Sequence, residues 1–123
     1  MSTQVHPIYI VSVNNTPQRA KELVAILVDE LRMEYNLIHV ANMDSIFGVK
    51  AILESLIVLP QVLICSSQWN TTQQEEVQKL AKTLIPGLKT VAIPPGLNAL
   101  RGGGAVVGFL KEQFLGLGLP MRT

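Results

Sequence analysis

The stretch Val62-Leu63-Ile64-Cys65-Ser66-Ser67-Gln68-Trp69-Asn70-Thr71-Thr72 decides the fold class of this chain. A short apolar run ends abruptly in small polar residues, which are followed by the only tryptophan, exposed by its context, and by a helix start. This pattern is typical of a buried parallel strand that leads into a ligand-facing loop of an open α/β sheet. Ligands of such sheets bind beyond the carboxyl ends of the strands. The sequence therefore predicts an α/β fold with its site at that edge.

Length and composition limit the classes of protein to consider. The chain has 123 residues, and we predict one domain over residues 1–123. Hydrophobic residues make up 48% and charged residues 15%, which indicates a globular protein. A net charge of +1 gives no electrostatic surface for nucleic acid or for an anionic membrane. Because the charged fraction is low and the tail from Phe109 to Pro120 is apolar, we expect part of the surface to be covered in a homodimer or larger assembly.

Targeting and metal-binding patterns are missing from the sequence. The segment Met1 to Pro7 is polar and does not resemble a signal peptide, and no apolar run approaches the ~18 residues that span a bilayer. A single cysteine excludes an internal disulfide framework and a cysteine-cluster metal site. The two histidines, His6 and His39, lack metal-ligand spacing. We therefore expect a cytoplasmic protein with neither a bound metal nor a membrane partner.

Apolar periodicity predicts strands that alternate with helices along the whole chain. The predicted strands are Ile8–Val13, Leu37–Ala41, Val62–Cys65 and Lys89–Ile93. The predicted helices run from Pro17 to Glu34, from Asp44 or Ser45 to Ile57, from Thr71 or Thr72 to Leu84, and from Ala105 to Leu115. Such alternation predicts parallel pairing through right-handed crossovers. The expected architecture is a three-layer open sandwich with a mostly parallel sheet in the order 2-1-3-4, to which residues 117–123 would add an optional fifth strand.

Three polar loops are expected to meet at the carboxyl edge of this sheet. They are Asn14–Pro17, Ser66–Thr72 and Pro94–Gly104. Backbone amides and helix N-termini can hold a phosphate, and the indole ring offers a stacking surface. The loops therefore suit a planar, phosphorylated ligand, although polar loops also occupy this edge in open α/β domains without a ligand.

The candidate binding residues come from these three loops, and no catalytic residue is predicted. The candidates are Asn14, Asn15, Thr16, Ser66, Ser67, Gln68, Trp69, Asn70, Gly102, Gly103 and Gly104. The three glycines would let the backbone approach a ligand closely, or would simply form a flexible loop. Arg101 beside them could reach a phosphate or remain solvated. Cys65 ends a buried strand and is expected to be a packed, inert thiol.

The loop after the third predicted strand resembles a known flavin-binding loop. Ser67-Gln68-Trp69-Asn70-Thr71-Thr72 is similar to the Pro-Glu-Tyr-Asn-Gly-Ser loop of the NADPH-dependent FMN reductases, a flavodoxin-like family. Downstream, the segments 89–93, 101–105 and 115–120 follow that family's fourth strand, glycine-rich loop and next helix. Cys65 to Trp69 also resembles the Cys-Ser-Thr-Trp loop of short flavodoxins. The resemblance covers residues 60 to 120.

This resemblance implies an oxidoreductase that binds FMN. By it, Gln68, Trp69 and Asn70 would contact the flavin ring, and Gly102 to Gly104 would line it. The first loop departs from the family, whose phosphate-binding turn is rich in hydroxyls and glycine. Here that loop is Asn14-Asn15-Thr16-Pro17, which is shorter and has no glycine. Weak binding and a colourless purified protein are therefore expected.

A second resemblance points to a different class of protein. Asn14-Asn15 stands where response-regulator receiver domains carry paired acids, and Cys65 stands where they carry the phosphorylated Asp. Gly104-Ala105 and Gly108-Phe109-Leu110-Lys111 are similar to their final strand and lysine. Because no carboxylate remains to bind Mg²⁺ or accept phosphate, this resemblance implies a non-enzymatic interaction module. The two resemblances leave open whether the protein is an enzyme.

Overall fold

Four strands form one parallel sheet in the computed structural model, which describes residues 6–122. The strands are β1 (Ile8–Val13), β2 (Leu37–Met43), β3 (Val62–Cys65) and β4 (Lys89–Ala92), in the order β2-β1-β3-β4. All three neighbouring pairs are parallel. The predicted fold class and strand order, which is flavodoxin-like, are confirmed. Residues 117–122 form no strand, so the described part of the chain has the four-stranded form of the sheet.

Helices cover both faces of the sheet and complete three layers. They are α1 (Pro17–Glu30), α2 (Val49–Ser55), α3 (Thr71–Leu84), α4 (Leu97–Arg101) and α5 (Gly103–Leu115), with a 3-10 turn at Ile46–Gly48 before α2. The first and last helices, α1 and α5, pack against one core, whereas α2 and α3 pack against the other. Within residues 6–122, none of these helices combines the length and the apolar character needed to cross a membrane.

The two central strands are buried on both faces, as their apolar sequences predict. In β1, Ile8 and Ile10 belong to the core under α1 and α5, whereas Val11 and Val13 belong to the core under α2 and α3. The side chains of β3 alternate between the two cores in the same way. This burial holds the carboxyl ends of β1 and β3 in fixed positions beneath the loops that follow them.

An extra residue interrupts the pairing of β2 with β1. Ile10 pairs with His39, but the next residue of β1 pairs with Ala41, so Val40 has no partner on β1. Val40 and Ala41 consequently pack against the same core, although they are consecutive. Such a bulge changes the alternation of side chains along a strand. It brings His39 and Asn42, three residues apart, to the same face of the sheet.

Two predicted helices are shorter in the structure than in the sequence interpretation. The first was expected to reach Glu34, but α1 ends at Glu30, and Arg32 donates a hydrogen bond to the Asp29 carbonyl at 2.7 Å. Basic side chains near the C-terminus of a helix commonly satisfy its last carbonyls in this way. The helix expected between residues 44 and 57 divides into the 3-10 turn and α2, which ends at Ser55.

The glycine-rich segment, predicted to be a loop, is mostly helical. The range Pro94–Gly104 contains α4, and Gly103 and Gly104 form the first turn of α5 rather than a loop before Ala105. Only Gly102 separates the two helices. Its φ of 80° lies in a region that residues with a side chain rarely adopt, so a glycine is required there.

Candidate functional site

A cleft opens at the carboxyl edge of the sheet, between the loops that follow β1 and β3. These strands are neighbours, but α1 leaves towards one face and α3 towards the other, so their loops diverge. Open α/β sheets bind ligands at such a point. The cleft has a volume of about 370 Å³, inside the range of roughly 300–1,000 Å³ typical of small-molecule sites. Its lining residues are Asn14, Thr16, Arg19, Ser66, Ser67, Gln68, Trp69, Asn70, Pro95, Gly96, Asn98 and Ala99.

Hydrogen bonds with side chains fix the loop that follows β1. The Asn15 backbone N–H donates to Gln68 Oε1, and Gln68 Nε2 donates back to Asn15 Oδ1. The Thr16 N–H donates to Asn14 Oδ1 at 2.8 Å. These contacts join the loops that follow β1 and β3 across the cleft. They also occupy the amides of Asn15 and Thr16, so neither amide is free for a phosphate.

The N-terminus of α1 is the positive end of the cleft. Thr16 stands at the N-cap without a side-chain capping bond, and Pro17 has no N–H to donate. The N–H groups of Gln18 and Arg19 in the first turn have no acceptor within the helix. Because the helix dipole is positive at this end, these groups favour an anion.

Arg19 adds the only full charge among the residues that line the cleft. Its Nη2 donates to Asn98 Oδ1 at 3.3 Å, and its Nη1 lies 3.8 Å from Glu22 Oε2. The side chain remains 40% exposed, so both contacts are weak and leave N–H groups for a ligand. An arginine in the first turn opposes the helix dipole, which an anion at this position would offset.

Trp69 is half-buried rather than exposed, and it is fixed in place. Its indole Nε1 donates to the Val13 carbonyl at 2.9 Å, at the end of β1. The ring packs beside the α2–α3 core and lines the cleft on its other side. It also lines a smaller groove that contains Phe47, whose exposure is 98%. One edge of a rigid indole is therefore available to a ligand in the cleft.

Hydrogen bonds to Ser67 hold together the wall formed by the loop after β3 and the segment that contains α4. The Ser67 carbonyl accepts the Gly96 N–H at 2.8 Å, and Ser67 Oγ accepts the Asn98 N–H at 3.3 Å. Below them, the buried Gln74 Nε2 donates to the carbonyls of Ser66 and Ile93 at 3.1 and 2.8 Å. One side-chain amide thus ties the ends of β3 and β4 together under the cleft.

Asn70 caps α3 as well as lining the cleft. Its side chain accepts the Gln73 N–H at 2.8 Å, and Gln73 Oε1 accepts the Asn70 N–H at 2.9 Å. This reciprocal capping box explains why α3 begins at Thr71. Since α3 is capped by its own residues and α1 is not, α1 offers the better anion position.

The structure brings together seven of the eleven predicted binding residues: Asn14, Thr16, Ser66, Ser67, Gln68, Trp69 and Asn70 line one cleft. Asn15 joins them through its contacts with Gln68. Gly102, Gly103 and Gly104 are not among the lining residues, and the last two border a groove between α1 and α5 instead.

Gly103 serves helix packing in this arrangement. A Cβ atom placed on it would lie 2.6 Å from Arg19 Nη2 and 2.9 Å from Leu23 Cδ2. The missing side chain therefore lets α5 approach α1 and leaves space for the Arg19 guanidinium. Gly103 acts on the cleft through Arg19.

Sequence reasoning missed Arg19, Asn98 and Gln74. Two of them left a signal in the sequence. Arg19 is a basic residue in the first turn of a helix, where acids are favoured. Gln74 is a polar residue on the buried side of α3, in phase with Val77 and Ala81. Asn98 left no signal, because α4 itself was not predicted.

The described residues offer little catalytic chemistry. Burial raises the pKa of the Cys65 thiol to about 12, so the thiol stays protonated at neutral pH and is a poor nucleophile. Ser12 lies 2.8 Å from His39 Nε2, but it is only 3% exposed and does not face a substrate-sized opening. Within residues 6–122, no group of three or more His, Cys, Asp or Glu side chains could hold a metal ion.

Comparisons with protein-family models, with curated proteins and with solved structures give no match to this chain. The flavin-reductase and receiver resemblances therefore stay predictions.

Proposed function

We propose that the cleft binds a small phosphorylated ligand with a planar ring, and that FMN is the first ligand to test. The observation that carries the proposal is the pairing of two features in one cleft. The uncapped N-terminus of α1, with Arg19 beside it, suits a phosphate, and the fixed edge of Trp69 suits a ring.

The residues present fit FMN only loosely. Arg19 and the free N–H groups of the first α1 turn would hold the phosphate, whereas Gln68 and Trp69 would contact the ring. The Gln68–Asn15 contacts keep the loop amides from contributing. A flavin supplies its own redox chemistry, and this chain would contribute binding and orientation. We therefore expect affinity in the micromolar range or weaker.

Ligand titration tests the proposal directly. Trp69 is the only tryptophan, so its emission reports events in the cleft without a label. FMN, FAD and NADPH are titrated, together with riboflavin, which has the ring of FMN without its phosphate. We expect FMN to quench Trp69 and to bind about tenfold more tightly than riboflavin, because its phosphate adds charge-assisted hydrogen bonds; a tenfold difference corresponds to about 1.4 kcal/mol.

Two arginine variants separate a specific phosphate contact from general charge. Arg19→Ala should weaken FMN binding about tenfold and leave riboflavin binding unchanged. Arg32→Ala removes an exposed arginine that follows α1 at the opposite end of the helix, and it should change neither. Equal weakening by both variants, or equal affinities for FMN and riboflavin, would contradict the phosphate position.

A specific observation favours the second candidate, a non-enzymatic interaction module. Phe47 and Leu100 are 98% and 84% exposed, and they follow the two outer strands at the same edge of the sheet. Exposed apolar side chains around a polar cleft also fit a partner surface. If FMN, FAD and NADPH leave Trp69 emission unchanged at millimolar concentration, this module becomes the better hypothesis.

A further inference from the structure

A chain of hydrogen bonds joins the edge strand β2 to the first wall of the cleft. His39 Nε2 lies 2.8 Å from Ser12 Oγ, and Ser12 Oγ lies 2.7 Å from Asn42 Oδ1. Asn42 Nδ2 then donates to the Asn14 carbonyl at 2.9 Å. The bulge at Val40 makes this possible, because it puts His39 and Asn42 on the same face as Ser12.

The donor and the acceptor in each of these hydrogen bonds follow from the last acceptor, the Asn14 carbonyl. The Asn14 carbonyl can only accept, so the Asn42 amide must point its NH₂ group at Asn14 and its oxygen at Ser12. The single Ser12 hydroxyl proton is then donated to Asn42. Ser12 Oγ can therefore only accept from His39, whose proton must sit on Nε2.

We propose that His39, Ser12 and Asn42 are positioning residues of the cleft, and that Asn42 dictates which ring nitrogen of neutral His39 carries the proton. Their effect on a ligand rests on the proposed function, but the hydrogen-bond directions do not. The wall they hold is Asn14, whose side chain also orders the Thr16 amide beside the N-terminus of α1.

The surroundings of His39 keep the ring neutral, as the proposal requires. Burial lowers its pKa, and the polar backbone of Ala41 raises it in part. Lys21 on α1 is the only charged residue among those that line the shallow depression over the ring, so no carboxylate there stabilises a ring cation. Ser12, on the neighbouring strand, is buried, so its hydroxyl has no alternative in water.

The experiment is a ¹⁵N NMR measurement of the His39 ring at pH 8, where the imidazole is neutral. The wild-type protein should show a proton on Nε2 and a bare Nδ1. In Asn42→Leu, the Ser12 hydroxyl loses its acceptor and can donate to the ring, so the fixed tautomer should give way to a mixture. Ile38→Ala changes the same strand outside the hydrogen-bonded chain and should leave the tautomer fixed.

Trp69 emission shows whether these hydrogen bonds affect the cleft, because the indole donates to the carbonyl of Val13, the residue before Asn14. Asn42→Leu should shift this emission, whereas Ile38→Ala should not. Far-UV circular dichroism verifies that each variant is folded. If Asn42→Leu does not fold, Ser12→Ala interrupts the same chain and should release the tautomer.

Three results would each overturn the proposal: a wild-type proton on Nδ1, an unchanged tautomer in the interrupting variant, or unchanged Trp69 emission in that variant. None of these measurements uses a ligand. A failure of FMN to bind would therefore leave this test intact.

Discussion

Gln74 shows how one side chain can control the shape of the cleft without lining it. It is 4% exposed, and its amide nitrogen donates to two backbone carbonyls, one at the end of β3 and one just after β4. A buried carbonyl group that loses its donor has no hydrogen bond to replace the one it would make with water, and this destabilises the fold. The residue was not predicted as part of the site, because its partners lie on loops whose proximity only the folded sheet creates.

Replacing Gln74 by Leu should destabilise the protein by about 1–3 kcal/mol, because the buried Ile93 carbonyl loses its donor and the Ser66 carbonyl keeps only the Trp69 N–H at 3.4 Å. Urea unfolding followed by circular dichroism measures the change. Glu75→Gln is the matched control on the same helix. Its side chain is exposed, and the expected change lies within about ±0.5 kcal/mol. Equal effects of the two substitutions would show that Gln74 has no special role.

Single residues of the site were predictable only where a local pattern marks them. Ser66 to Asn70 follow an apolar strand directly, and the structure places all five at the cleft. Arg19 reaches the cleft because Gly103 leaves room for it, a contact between residues far apart in sequence. Spacing along the chain carries no information about such contacts.

At the scale of elements, α1 and α5 pack closely at Gly103, which has no side chain to hold them apart. The nearest atoms are the ends of Arg19 and Leu23. The same helix carries Gly108, around which a Cβ atom would find nothing within 4 Å. The two glycines therefore differ in how they should tolerate substitution, although both lie in one helix.

Gly108→Ala should stabilise the protein by about 1 kcal/mol, because alanine costs less backbone entropy in a helix interior. Gly103→Ala should be less stable than Gly108→Ala by about 1 kcal/mol, since its methyl group must displace the Arg19 guanidinium from Asn98. Chemical denaturation of both variants gives the comparison. A Gly103→Ala protein as stable as Gly108→Ala would mean that Arg19 moves aside without cost.

The ends of the elements were harder to predict than their existence. β2 was predicted to end at Ala41, yet the strand continues through the polar Asn42 to the buried Met43. Asn42 is tolerated because Ser12 and Asn14 satisfy its amide. The glycine-rich segment was predicted to be a loop because glycines favour loops, but the first turn of a helix also accepts them.

At the scale of the whole molecule, periodicity predicted the alternating elements and their parallel pairing, and the flavodoxin-like order was chosen among the arrangements that remain. Buried parallel strands and amphipathic helices leave few arrangements that cover both faces of a sheet. The apolar tail from Phe109 to Pro120 was expected to contribute uncovered surface, and the structure agrees less well with that expectation. Leu110, Phe114 and Leu119 are buried in the chain's own core, so that segment is not a free apolar surface.

Self-association remains our expectation, but it now rests on other side chains. Large apolar residues that are exposed include Ile26, Met33, Ile38, Phe47, Ile57, Leu59, Leu100, Leu115 and Met121. We expect light scattering at micromolar concentration to give a mass above the 13.4 kDa of one chain. Sulfate should increase that mass, because it strengthens apolar burial. A mass equal to one chain under both conditions would count against an oligomer.

Because of the bulge, β2 contains one residue more than its pairing with β1 requires. Every residue of β2 except Val40 has a partner on β1. A chain from which Val40 is deleted would keep each of those partners and a regular ladder, with His39 and Asn42 still beside Ser12. Deletion of Ile38 instead would turn Leu37 away from its core. We therefore expect the strand pairing to survive deletion of Val40, although the loss of a residue from the middle of a strand is ordinarily least tolerated.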